Sequence, residues 1–176
     1  MSTEARLTLG EYIAALVDAL ATDDPAGFTR MREIVDARAA RIELDDEAVE
    51  VVFVVGQLHV GAKLGFPIEG YGSTNSATVL DLLDGNLEVN TAVLDGRLRL
   101  VGDADDVARM CIAIEILLNA SARSPRLQSL AGRFRHERSG TAERSVYNLV
   151  WYPFACSDSE LALLNRLDLL PGSGKL

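Results

Sequence analysis

The sequence predicts an α+β domain in which helices cover a largely antiparallel sheet of about five strands. Three observations predict it. Two stretches with helical spacing come before residue 40. A valine-rich block bounded by turn signals follows them. Helical segments punctuated by glycine return after Ser73 and lead into a long apolar helix.

Leu9, Ile13, Leu16, Val17 and Leu20 fall on one face of a helix over Leu7 to Ala21. Asp23-Asp24-Pro25 stops it and starts a second, with Asp24 as N-cap and Pro25 at the first helical position. Phe28, Met31, Ile34 and Val35 give that helix its apolar face, to about Ala40. The period then changes. Arg41 to Leu44 reads as a short strand, Asp45-Asp46-Glu47 as a turn, and Ala48 to Val55 as a strand whose only charge is Glu50. Gly56-Gln57 turns the chain back into Leu58 to Ala62. Gly65 to Gly72 supplies another strand, with Pro67 marking an edge or a bulge.

Ala77 to Leu83 is a helix capped by Asn75 or Ser76, with Gly85 where a left-handed C-cap belongs. Leu87 to Leu94 supports two readings. Gly96 can end a short helix over Val89 to Leu94. Leu87, Val89, Thr91 and Val93 also alternate well enough for a hairpin across Asp95-Gly96. Arg97 to Val101 is a half-buried strand, with Leu98 and Leu100 on one side and Arg97 and Arg99 on the other. Asp103 caps the next helix, and Asp105 and Asp106 suit its first turn. That helix, to Leu118, has only Arg109 and Glu115 as charges beyond its first turn, a pattern that implies burial on all sides. Ser124-Pro125 opens a helix to about Arg135, and His136 to Arg144 reads as a polar loop. Val146 to Phe154 is rich in aromatic residues, and Ser157-Asp158-Ser159-Glu160 has the capping-box pattern of a last helix.

The order of these parts resembles the second half of the sterol carrier protein 2 (SCP2-like) domain. The resemblance rests on Ala77 to Gly85, Gly96 to Asp103 and Val107 to Leu118. With the strands before them it covers roughly Arg41 to Phe134. It implies a helix over Leu87 to Leu94. Gly70-Tyr71-Gly72-Ser73 stands where that family has an Asp-bearing strand, a departure that bears on ligand identity. The expected organisation is N-terminal helices over 1–40, an SCP2-like core over 41–135 and a C-terminal extension over 136–176, packed as one domain.

Composition narrows the function classes. A net charge of −9 opposes sequence-independent nucleic-acid binding, which needs a cationic surface. No run approaches the ~18 apolar residues of a membrane span. Two cysteines, Cys111 and Cys156, form neither a disulfide framework nor a zinc pattern. Cys111 reads as a small buried hydrophobe, and the chain as cytoplasmic. His59 alternates with Leu58 and Val60 toward solvent, His136 sits among arginines, and no nucleophile elbow or zinc-protease motif occurs. The acidic clusters fall at turns and helix starts. The expectation is a non-enzymatic protein without cofactor or metal.

The resemblance implies an apolar ligand, such as a sterol, fatty acid or acyl-coenzyme A, held between sheet and helices. Its expected lining is Leu80, Leu83, Val93, Leu98, Leu100, Met110, Ile114 and Leu117. The basic run from Arg123 to Arg144 offers Arg133 and Arg135 as a weak anion site, since the guanidinium fork suits phosphate. The alternative is an accessory module with the same fold, a filled core and no lipid ligand.

Overall fold

A computed structural model describes residues 6–138. The expected strand or packing segment at Val146 to Phe154 and the helix after Ser157 lie outside the described residues.

Helix α1 (Leu9–Asp23) starts at Thr8, whose side chain accepts from the Glu11 amide while Glu11 bonds back to the Thr8 backbone. This Thr-x-x-Glu capping box, a signal legible in the sequence, sets the start at Leu9, two residues after the expected Leu7. Asp24 then ends α1 and caps α2 (Pro25–Val35), accepting from the Gly27 amide at 2.9 Å. Helix α2 stops five residues short of the expected Ala40. Asp36 takes φ 24°, and Ala39 and Ala40 are drawn into the first strand.

The strands are β1 (Ala39–Leu44), β2 (Glu47–Val54), β3 (Gln57–Gly61), β4 (Ile68–Thr74) and β5 (Arg99–Val101). They lie in the order β3-β2-β1-β4-β5. Three pairings are antiparallel, and β1 with β4 is parallel. The turn between β2 and β3 is Val55-Gly56, one residue earlier than expected, with φ of 51° and 78°. Strand β4 begins after Pro67, which has no N–H to give a ladder, and runs on through Thr74.

Asn75 caps α3 (Ser76–Leu83), as one of the two candidates should, and Gly85 beyond it takes φ 72°. Residues Val89–Leu94 form α4, followed by Gly96 at φ 70°. The helical alternative therefore holds. Asp103 caps α5 (Ala104–Ser121), accepting from the Asp106 amide at 2.9 Å. Helix α6 (Pro125–Arg138) continues three residues past the expected end, through His136 to Arg138.

The register sorts the sheet into two faces. Ala40, Ile42 and Leu44 share one with Val49, Val51, Phe53, Leu58, Val60, Gly70, Gly72 and Leu100. Helices lie on this face. A Cβ on Gly10 of α1 would stand 3.3 Å from Val60, and one on Gly70 would stand 3.2 Å from the sulfur of Met110 in α5. Helix α1 lies over β2 and β3, and α5 over β4 and β5. Helices α2 and α6 pack against these two.

Candidate functional site

This arrangement leaves the central strand between two helices. The inward side chains of β1 and its neighbour β2, Ala40, Ile42, Val49 and Val51, stay half-buried beneath the helix layer. So do Ile13, Leu16 and Val17 of α1 and Met110, Ile114 and Leu117 of α5. A packed core buries such residues fully and forms one contiguous cluster. Here the buried residues fall into three clusters, and the half-buried side chains form an apolar strip that packs on them: Leu16, Val17 and Leu117 on the first, Ile13, Ile42 and Val49 on the second, and Ile114 on the third.

The first joins Leu20, Met31, Phe53, Ala120 and Leu127. The second joins Leu9, Tyr12, Leu44 and Phe134. The third joins Leu82, Val89, Ala92 and Leu98. Helix α5 touches two of them. Ala113, Ile116 and Leu117 serve the first, while Cys111, Ile114 and Leu118 serve the third. Its expected burial on all sides is not found, because only Asp106 and Ala120 are buried among its residues. Two clusters and the strip divide its circumference, and none covers a whole side. Cys111 is likewise half-buried, and its thiol is pushed up by burial and by Glu115 nearby.

The eight expected lining residues are distributed, not gathered. Leu80 and Leu83 pack on the second cluster, Leu117 on the first, and Val93, Leu100 and Ile114 join Leu98 in the third. Met110 sits over Gly70. Of the eight, only Leu98 is buried. Ile42, Val49 and Val51, outside the expected lining, share the helix-covered face of the sheet with Leu100, as the two-residue period of β1 and β2 already implies.

One end of the strip is bounded by a polar network. The Tyr12 hydroxyl donates to Glu137 at 3.0 Å, and its ring meets Phe134 edge-on at 5.3 Å. Burial, then the Glu137 contact, push the Tyr12 hydroxyl up to about 12. Arg138, placed in a polar loop by sequence, is fully buried. It binds Glu47 at 2.6 Å and lies over the Phe134 ring at 5.7 Å. These contacts satisfy the polar end of α6 and explain its extra residues.

The basic run meets carboxylates. Arg133 binds Glu137 and Arg135 binds Asp84, each at 2.6 Å. Arg126 and Arg123 approach Asp23 and Asp24 at 3.6 and 3.8 Å. The acidic residues do cap and turn the chain, as expected. Asp106 does more, since it is buried against the guanidinium of Arg38. His59 is exposed. Among the described residues no cluster of three or more His, Cys, Asp or Glu could hold a metal ion, and no helix is long and apolar enough to cross a membrane.

No protein-family model matches the sequence, and no curated protein matches it significantly. Solved structures do. The chain is similar to the UbiJ-SCP2 ubiquinone synthesis protein, with a TM-score of 0.50 and 19% identity over 71% of this chain and 98% of that one. It is also similar to sterol carrier protein domain 2 of Helicoverpa armigera, with a TM-score of 0.47 and 16% identity over 69% and 94% of the two chains. Sterol carrier protein 2 from Yarrowia lipolytica gives 0.44 and 13% over 68% and 99%. The first of these aligns closely enough to identify the architecture. The chain therefore has the fold of the sterol carrier protein 2 domain.

Proposed function

We propose that this domain binds one elongated apolar molecule in the strip between α1 and α5 and carries it without changing it chemically. The observation behind this reading is the half-buried state of Ala40, Ile42, Val49 and Val51 beneath a layer of helices. Apolar surface left accessible there gains roughly 0.8 kcal/mol for each ligand methylene removed from water. The eight lining candidates and the residues of β1 and β2 supply the walls, and no charged group on α5 beyond its first turn other than Arg109 and Glu115 interrupts them. Sterols, fatty acids and acyl-coenzyme A fit this chemistry. A prenylated quinone joins the panel because one structural neighbour is a ubiquinone synthesis protein.

The test is a titration with fluorescent fatty acid, competed by each class, with mass spectrometry of the recovered ligand. Saturable one-to-one binding and unchanged ligand are expected. Ile42→Trp fills the strip without adding charge and should abolish binding while circular dichroism stays native. Tighter binding of acyl-coenzyme A than of the free acid, lost with Arg133→Ala and Arg135→Ala, would make those arginines the anion site. No saturable binding by a folded protein sinks the carrier reading and leaves the accessory-module alternative. Turnover of a ligand would replace the carrier with an enzyme.

A further inference from the structure

A groove of about 570 Å³ lies between the first turns of α1 and the point where β3 ends. Strand β3 stops at Gly61, opposite Glu50. Glu47, Ala48 and Val49 of β2 therefore pair with β1 on one side and, among the described residues, with no strand on the other. Ladder alternation shows which groups are left over. The two-residue turns close on the hydrogen-bonded pairs Leu44–Glu47 and Val54–Gln57. Counting from them, Val49 bonds to β1 and Glu50 to β3. Ala48 turns its N–H and C=O away from β1, into the groove.

The walls suit an extended chain. Gly10 packs closely on the sheet, where an added Cβ would stand 3.3 Å from Val60 and 3.7 Å from Val49, and Ala14, Gly61 and Ala62 line the open part of the groove with small side chains. The ionisable groups along it are Glu11 and Glu47. Glu47 is already engaged by the Leu9 amide and by Arg138, both at 2.6 Å. Glu11 is exposed, accepts from the Thr8 backbone and hydroxyl, and has the Arg133 guanidinium within electrostatic reach. The Thr8 backbone and hydroxyl hold its carboxyl below the usual range.

We infer that the groove takes a short extended peptide from a partner protein. Its backbone continues the line of β3 and pairs with Ala48, and a Lys or Arg places its stem on the small-residue floor and its head at Glu11. A strand added to a sheet edge gains affinity from backbone bonds and specificity from alternate side chains. A basic residue with a long apolar stem matches a floor of small apolar residues ending in a carboxylate. The proposal does not rest on the cargo reading: groove and strip share Val49, but peptide binding and cargo binding are read by different assays.

The probe is acetyl-Val-Lys-Thr-Lys-Val-amide, titrated into the full ¹⁵N-labelled chain to millimolar concentration. Saturable shifts are expected at the Ala48, Gly61 and Glu11 amides. The same peptide with Glu for Lys should bind about tenfold more weakly. Ala14→Leu fills the groove from an exposed helix position and should abolish the shifts with the fold intact. Glu11→Gln keeps the capping role and should reduce the salt dependence of binding. Any of three results overturns the proposal: no saturable shifts, shifts that survive Ala14→Leu, or equal binding of the acidic peptide. Concentration-dependent shifts at the same amides without peptide would assign the groove to a second copy of the chain and overturn it as well.

Discussion

Val55 is the best place to test the local physics of this fold. It is 98% exposed at the tip of the β2–β3 hairpin and takes φ 51°, with Gly56 following at 78°. Positive φ at both central residues is the hairpin turn whose twist matches the strands, and Asn-Gly is its preferred sequence. A β-branched residue is the worst fit to the first position, because its Cβ substituents crowd the backbone there. The left-handed conformation costs an ordinary L-residue roughly 1–2 kcal/mol. With the side chain in water, no burial offsets this. Val55→Asn should therefore stabilise the domain by about 1 kcal/mol. Val55→Gly should stabilise it less, because added freedom in the unfolded chain takes back roughly half. Urea unfolding followed by circular dichroism checks this. The Asn variant should move the midpoint upward by roughly 0.5 M at an unchanged slope. An unchanged or lower midpoint, with the same slope, would refute the strain reasoning.

Two further outcomes follow from the polar end of the strip. Tyr12, raised from 10.0 to about 12, binds its proton more tightly in the folded chain, so stability should fall as pH rises from 10 to about 12. Tyr12→Phe should flatten that fall in alkaline thermal melts. Arg138→Gln leaves Glu47 without its guanidinium and should lower stability by about 2–3 kcal/mol, less than a fully buried pair would lose because Glu47 keeps 30% of its surface. A Tm within 2 °C of the parent would contradict it. Glu137 sits among Arg133, Tyr12 and the Leu7 amide. Burial opposes its ionisation, but these partners hold its carboxyl below the ordinary 4.5. Its contribution should be present above that pH and fade on acidification, and Glu137→Gln should reduce the acid sensitivity of unfolding.

The legible parts of the sequence were those written in local chemistry. Asp24-Pro25, Gly85 and Asp103 each fix a boundary through a cap or a left-handed residue, and each stands where the residues alone place it; Asn75 is one of the two caps they offered. The helix at Val89–Leu94 was not decided locally, since Asp95-Gly96 serves a hairpin equally well. The resemblance settled it. What could not be read depends on distant partners. Arg138 looks like loop until Glu47, ninety-one positions earlier in the chain, accepts from it. Asp106 looks like a helix-start charge until Arg38 reaches it. The apolar pattern of α5 was visible, but whether neighbours cover all of it is a property of the assembled layers.

The parallel joint between β1 and β4 has a consequence for how the chain folds. The β1–β2–β3 meander closes through two-residue turns and needs only neighbouring residues. The other side of β1 waits for β4, whose Ile68 pairs with Ala39 across twenty-nine positions of chain. During synthesis β1 is therefore exposed along one edge until β4 has emerged, and an exposed strand edge invites pairing with other chains. Closing a loop of that length is the slow, non-local step, so the β1–β4 ladder should set the folding rate. A nascent chain halted before Thr74 would display the middle of its sheet as an edge.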